Sequence, residues 1–503
     1  MIKNILLTIA FALVLMPNIS GQNFPFPQHT EYYGHIKPNQ YTQVELDGHV
    51  TAFYDAWKDL YFKVGCEDNQ YHVFFDSGNT VTVSEAMGYG MLIAPLMAGW
   101  DDEAKTIFNG LYRYYKAHPS HIMPHLMAWK QITGCVDADG PDSATDGDID
   151  IAFGLLLAHA QWGSHGAINY FQEALLIIND IMGANASEGD INQELNSVKL
   201  GDWVTSGSRM NGTRTSDFIM DHFRVFACAV DDSSWVDVVD ECYTLIEDMQ
   251  TNYSPETGLL PDFIEDVNTT PRPASPNYLE GENDGSYSYN ACRDPWRITS
   301  DYLISGDNRA KEAAIKINRW LLQSTGGNAN NVYAGYELDG TRLNSWSDLS
   351  FTAPFTVGAM ADTDNQNWLN TLYSKILQSN IANGGYYDNT LKLLSLITIS
   401  GNYWVPPCDI LNDINELETN KNSFRVYPTL ATNTINVELN PELVNSEVIC
   451  RIYNSMGQLV KQEVIGNSHI TSMQIDSFSK GLYLINLCNN QGNVLGTQKV
   501  FKK

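Results

Sequence analysis

From about Thr51 to Ser400 apolar residues recur at spacings of three and four, the pattern of amphipathic helix. The clearest stretch is Ala167 to Met182, where Ile168, Phe171, Leu175, Ile178 and Met182 share a face and Gly183 stops the run. Ser216 is placed to cap a helix through Phe218, Phe223 and Phe226. Asp294 and Pro295 read as a cap and a first-turn proline ahead of Ile298 and Tyr302. Arg309 to Gln323 and Asn367 to Gln378 repeat the helical pattern. Two long loops interrupt it, from Met123 to Asp146 and from Thr251 to Asn290, both rich in Trp, Tyr, Asp and Glu. Loops of such length inside a folded domain usually carry function or are disordered, and their composition favours function.

After Pro407 the period changes. Cys408 to Asn422 is polar and reads as a linker. Beyond it, Ile435, Val437 and Leu439 alternate with polar residues, as do Val448, Cys450 and Ile452, and then Tyr483, Ile485 and Leu487. Gly457 and Gly481 punctuate these runs. A period of two with glycine turns predicts strands, so a small all-β domain is expected over 423–503, after a helical domain over 22–407. The start of the chain reads as a signal peptide over 1–21: Lys3 supplies charge, Ile5 to Met16 is apolar, and Ser20 and Gly21 are small. That run is short for a membrane span, and no later stretch is long and apolar enough.

A formal net charge of −29 argues against nucleic acid and anionic membrane partners, which need Lys and Arg. It suits solubility, or a neutral or cationic polymer. The eight cysteines form no CxxC pair, so no zinc site is expected, and with no metal motif and no phosphate loop in the sequence no cofactor is expected either. Disulfides and isolated buried thiols both remain open for them. Eleven Trp and 26 Tyr supply flat rings for sugar faces, although most such rings fill cores.

Two segments carry chemistry. In Ser84-Glu85-Ala86-Met87-Gly88-Tyr89-Gly90-Met91, Ser84 is placed to cap a helix with Glu85 in its first turn. The helix dipole alone would lower the Glu85 pKa, the wrong direction for a general acid, so burial or a neighbouring carboxylate is required. In Ala144-Thr145-Asp146-Gly147-Asp148-Ile149-Asp150-Ile151-Ala152, three alternating acids open an apolar helix that runs to Trp162, more acids than capping needs. A calcium loop is another reading, but the later bidentate Glu is missing.

Through these motifs the region from about Tyr54 to Tyr403 resembles glycoside hydrolase family 8. Asp146 to Trp162 resembles the family signature, with Gly154 where Ser or Ala is usual, a change expected to matter little. Ser84 to Met91 resembles its acid segment, Trp129 with Lys130 a sugar platform, and Arg293, Pro295, Trp296 and Arg297 a later block. The resemblance implies an all-α (α/α)6 barrel that inverts the anomeric carbon of a β-1,4-linked glycan. Glu85 would be the general acid. Asp146 would bind the −1 sugar and help keep Glu85 protonated. Tyr89, Trp129, Tyr289, Asn290, Arg293 and Trp296 would bind substrate. Where one branch has an Asp base, this chain has Asn290, and an amide is no proton acceptor. Another branch also has Asn there and takes its base from a loop just upstream, so the resemblance implies a base from Asn277 to Asp284, with Glu280 ahead of Glu282 and Asp284, and Asn290 orienting the water. The expected substrate is cellulose or mixed-linkage glucan, with chitosan next and xylan third; a glycan-binding protein without catalysis is the reading from another class. Val426-Tyr427-Pro428, Ile452-Tyr453-Asn454, Lys480-Gly481-Leu482-Tyr483 and the basic end resemble a type IX secretion sorting domain, which implies the secretion machinery as a partner and a secreted or cell-surface protein. A carbohydrate-binding module is the competing reading of this tail.

Overall fold

The computed structural model describes residues 22–412, 424–444, 446, 448–454, 458–465, 468–489 and 494–503. The expected signal peptide, linker residues 413–422 and Gly457 lie outside them. The chain forms two compact units that divide between Leu411 and Asn412.

In the first unit, helices alternate between an outer and an inner position: α1 (Gln43–Tyr61), α2 (Ser84–Leu96), α3 (Ala104–Ala117), α4 (Thr145–Trp162), α5 (Tyr170–Met182), α6 (Met220–Val230), α7 (Ser234–Asn252), α8 (Asp294–Ser305), α9 (Asn308–Thr325), α10 (Leu349–Gly358), α11 (Gln366–Gln378) and α12 (Tyr386–Ser400). The even-numbered helices pack neighbour to neighbour from α2 through to α12, while α1 packs on α12 and α3 on α2. This is an (α/α)6 barrel. Its logic is visible in the side chains. The inner helices α2, α4, α10 and α12 are buried on nearly every side, so apolar residues occupy every face and the polar ones among them are buried as well. The outer helix α3 buries one stripe, Ala104, Ile107, Phe108, Gly110, Leu111, Tyr114 and Tyr115, and turns Thr106, Arg113 and Ala117 to water.

Several helix ends differ from the sequence expectation. The helix expected from Ala167 starts at Tyr170, because the Asn169 side chain accepts from the Gln172 amide and caps it. Its buried face centres on Ala174, Ile177, Ile178 and Ile181, with Leu175 at the edge. Ser84 does not cap α2; it is the first helical residue, after Val83. Ser216 caps no helix either: it lies in a 3-10 turn, Thr215–Asp217, before α6.

The α2–α4 contact is unusually close. A Cβ on Gly88 would stand 2.7 Å from the Asp150 Cβ, one on Gly147 2.5 Å from the Ser84 hydroxyl, and one on Gly154 2.8 Å from the Met91 carbonyl oxygen. The glycine at 154 therefore does matter, contrary to the expectation, since even a methyl group would force the helices apart.

Disulfides join Cys66 to Cys135 and Cys228 to Cys408, while Cys242, Cys292, Cys450 and Cys488 are buried thiols. The second bridge corrects the boundary at Cys408. Residues 408–411 belong to the barrel unit, held by the bridge from α6 and by Leu411 in the core, within a short helix α13 (Cys408–Asn412).

The second unit is all β. One sheet orders Phe424–Tyr427, Thr434–Leu439 and Ile470–Gln474; the other orders Leu430–Ala431, Val494–Lys502, Gly481–Asn489, Val448–Asn454 and Leu459–Ile465. The alternating residues Ile435, Val437, Leu439, Val448, Cys450, Ile452, Tyr483, Ile485 and Leu487 form one core shared by both sheets.

Candidate active site

The N-terminal ends of the inner helices meet at one end of the barrel. Glu85 stands in the first turn of α2 and Asp146 in that of α4; Arg293 precedes α8 and Tyr386 opens α12. Arg293 ties them together. Its Nη1 donates to Glu85 Oε2 at 2.9 Å and to Asp146 Oδ2 at 2.7 Å. Its Nη2 donates to the Ser216 hydroxyl at 2.7 Å and to Asn290 Oδ1 at 3.1 Å, and its Nε to the Asn290 carbonyl at 3.3 Å. The Tyr386 hydroxyl donates to Glu85 Oε1 at 3.1 Å.

Above this hub lies a cavity of about 280 Å³ lined by Glu85, Asp146, Trp129, Glu280, Tyr289, Asn290 and Arg293, together with Phe75, Val83, Ser84, Ala144, Arg214 and Tyr387. Seven of the nine site residues read from the sequence thus share one pocket. A short sheet of Thr80–Val83, Lys130–Ile132 and Val136–Asp137 brings Trp129 to the start of α2, where the Ser84 amide donates to the Trp129 carbonyl. The long loop ending at Asn290 is ordered by Asp262, whose Oδ1 accepts from the amides of Ser288, Asn290 and Ala291.

Four of the expected substrate-binding residues are engaged by groups of the protein itself. Tyr89 and Trp296 are buried against one another and under Arg297, and lie outside the lining of the pocket. Arg293 lines the pocket but has its donors engaged by protein groups. Asn290 likewise has both ends of its amide committed: its Nδ2 donates to Glu280 Oε2 at 2.9 Å while its Oδ1 accepts from Arg293. It positions a carboxylate. An Asp in its place would set like charges against each other, which gives the amide a physical reason in a chain that has Glu280.

Glu280 is half exposed, and its Oε1 accepts from Arg214 Nη2 at 3.0 Å. Its loop is pinned by Asp284, which accepts from the amides of Leu279, Glu280 and Gly281 and is itself buried. Asp284 is thereby a brace for the loop, and Glu282 is exposed outside the pocket lining.

The three acids that open α4 separate into three roles. Asp146 reaches the pocket. Asp148 accepts from the Met127 amide and holds the preceding loop. Asp150 takes both terminal nitrogens of Arg297, at 3.1 and 2.6 Å, and faces His222 Nε2 at 3.2 Å. Burial pushes the Glu85 carboxyl up to about 7; the Arg293 charge opposes this, and the Asp146 charge reinforces it. Asp146 goes the other way. Burial alone would raise it, but Arg293 and Arg214 hold it below the usual carboxylate range. One carboxyl is held as an acid near neutrality and its neighbour as an anion, the division of labour that acid-assisted hydrolysis uses.

Sequence reasoning missed Arg214, Asp262, Phe75, Tyr386 and Tyr387, and assigned Ser216 to a cap. Tyr386 and Tyr387 follow Gly384-Gly385 at a helix start, a signal like that around Glu85. Arg214 lies on a two-residue strand and offers no signal.

Residues 55–401 match the family described as Glycosyl hydrolases family 8, and residues 425–503 match the Secretion system C-terminal sorting domain. The chain is 48% identical over 397 residues to a Beta-glucanase of Niallia circulans, covering 78% of this chain and 95% of the relative. An Endoglucanase of Bacillus sp. (strain KSM-330) is 38% identical over 393 residues, 76% and 82% of the two chains. The solved apo structure of a Beta-1,3-1,4-glucanase from Paenibacillus sp. X4 superposes with a TM-score of 0.74 at 49% identity, over 76% of this chain and all of that one. The tail is a type IX sorting domain and marks the protein for secretion or the cell surface. With the barrel in place and residues 55–401 matching that family, the chain belongs to glycoside hydrolase family 8 and is a glycoside hydrolase.

Proposed function

We propose that the protein is an inverting, endo-acting β-glucanase that cuts β-1,4 bonds in mixed-linkage or cellulosic glucan. Glu85 protonates the leaving oxygen, and Glu280 takes a proton from the attacking water. The observation that carries this reading is that both carboxylates line one pocket without touching, separated by the Arg293 and Asn290 side chains. An inverting pair needs room for a water, roughly 6.5–9.5 Å between carboxyls. Glu280 uses one lone pair of each oxygen on Arg214 and Asn290, which leaves others for water. Asp146, held as an anion, offers oxygens to sugar hydroxyls beside the bond that breaks. Trp129 and Tyr289 give flat faces to neighbouring sugars. The glucanase relatives support glucan as the substrate. The xylan-acting neighbours, at 19–21% identity, share only the fold. Export through an N-terminal signal peptide and then the type IX route completes the reading.

The test is Glu280→Ala on soluble mixed-linkage glucan, with product anomers followed by NMR. The wild type releases the α-anomer first. The variant loses hydrolysis by at least about 10²-fold and regains part of it with azide, a small anion able to fill the vacated position. A β-anomer formed first would falsify inversion, and a variant with near-normal rates would remove Glu280 from the mechanism.

A further inference from the structure

The catalytic pocket does not end at Tyr289. The Tyr289 ring is 41% exposed, and its hydroxyl donates to Asp348 Oδ2 at 2.6 Å. The same oxygen accepts from Trp346 Nε1 at 3.3 Å. Trp346 is 52% exposed, an unusual state for so large an apolar surface. Its ring nitrogen is satisfied by the protein, and its carbonyl is held by the Ala334 amide. What it turns to solvent is therefore a flat apolar face in a fixed position.

On the other side of Asp348 lies a depression of about 360 Å³ whose lining includes Ser347, Asp348, Thr352, Asn380, Asn383 and Asp388. These are hydroxyls, amides and carboxylates, the groups that satisfy sugar hydroxyls. Two residues link the depression to the walls of the catalytic pocket: Asp348 accepts from Tyr289, and Asp388 follows Tyr387 in the chain, both tyrosines being pocket walls. A flat ring and a polar hollow, joined through Asp348 to a wall of that pocket, match the two faces of a pyranose.

We propose that Trp346 and the hollow beside Asp348 form a distal subsite that binds the sugar ring beyond the one resting on Tyr289. The proposal rests on the glucanase reading, because its ligand is the same chain extended. It predicts that rate depends on oligosaccharide length and that Trp346 sets that dependence.

The experiment uses the full chain and a ladder of β-1,3-1,4 and β-1,4 gluco-oligosaccharides of increasing length, with kcat and KM measured for wild type, Trp346→Ala, Trp346→Phe and Asn383→Ala. In the wild type, kcat/KM climbs along the ladder. Trp346→Ala flattens the climb, with a loss that grows with length to about tenfold on the longest oligomers and falls on KM more than on kcat. Trp346→Phe keeps most of the climb, and Asn383→Ala shows a smaller loss of the same form. An equal loss at every length would assign Trp346 to folding or to the chemical step and overturn the subsite, as would an unchanged ladder. A wild type that cleaves no member of the ladder overturns the glucanase reading itself, and the subsite with it.

Discussion

Replacing Asp146 by Asn tests the electrostatics of the site more sharply than removing Glu85. The Glu85 carboxyl titrates near about 7 because burial outweighs Arg293, with the Asp146 charge adding to burial. Arg293 Nη1 lies 2.9 Å from a Glu85 oxygen and 2.7 Å from an Asp146 oxygen. The two oxygens are then less than about 6 Å apart, and at an effective dielectric of about 20 two unit charges there repel by about 3 kcal/mol. The guanidinium between them screens part of this, which leaves about one to two pH units as the effect of removing the charge. The direction is fixed. The acid works only while protonated, so kcat/KM falls as pH rises through the Glu85 pKa. Without the Asp146 charge Glu85 ionises sooner, and the basic limb moves down from about 7. Loss of sugar contacts lowers the whole profile but does not move its limb. The assay is initial release of reducing ends from soluble mixed-linkage glucan between about pH 4 and 9, with circular dichroism at each pH to verify folding. A limb that stays in place, or moves upward, in the Asp146→Asn protein would refute the argument that these two charges are coupled.

Other consequences are equally direct. Gly154→Ala puts a methyl group against the Met91 carbonyl; overpacking of this kind costs about 1–3 kcal/mol, and thermal unfolding should show a melting point lowered by several degrees, an unchanged one meaning that α2 and α4 have slack. Replacing Cys228 and Cys408 together by Ser opens a loop with a sequence separation of 180 residues; urea titration should reveal a loss of about 2–5 kcal/mol, and an unmoved midpoint would make the bridge incidental. A chain ending at Leu411 should fold and hydrolyse glucan at near full rate while failing to reach the surface of its native host. Normal delivery of that shortened chain would contradict the role of the tail.

Periodicity determines a helical region followed by a strand region, and the barrel itself is implied by the family resemblance. Spacings of three and four give helices and a period of two gives strands whatever surrounds them, because each pattern follows from backbone geometry alone. The alternating acids of α4 were legible for a related reason: three acids at one helix start exceed what capping needs. Glu85, a single acid that the helix dipole would explain, is marked out by the resemblance of its segment to the family's acid segment. What each acid does was not legible. Asp146, Asp148 and Asp150 look alike in the chain, yet one faces the pocket, one holds a loop amide and one pairs with Arg297. Helix rotation and the arrival of α8 decide that. The same holds for Arg214, supplied by a two-residue strand, and for Asn290, whose amide acquires meaning only beside Glu280. The burial of Tyr89 and Trp296 and the tightness around Gly154 depend on how far apart two helices sit, and that distance belongs to the packed pair. Local patterns record what a segment can form by itself; charge coupling, burial and close approach arise between segments distant in sequence, so only the tertiary structure could decide them.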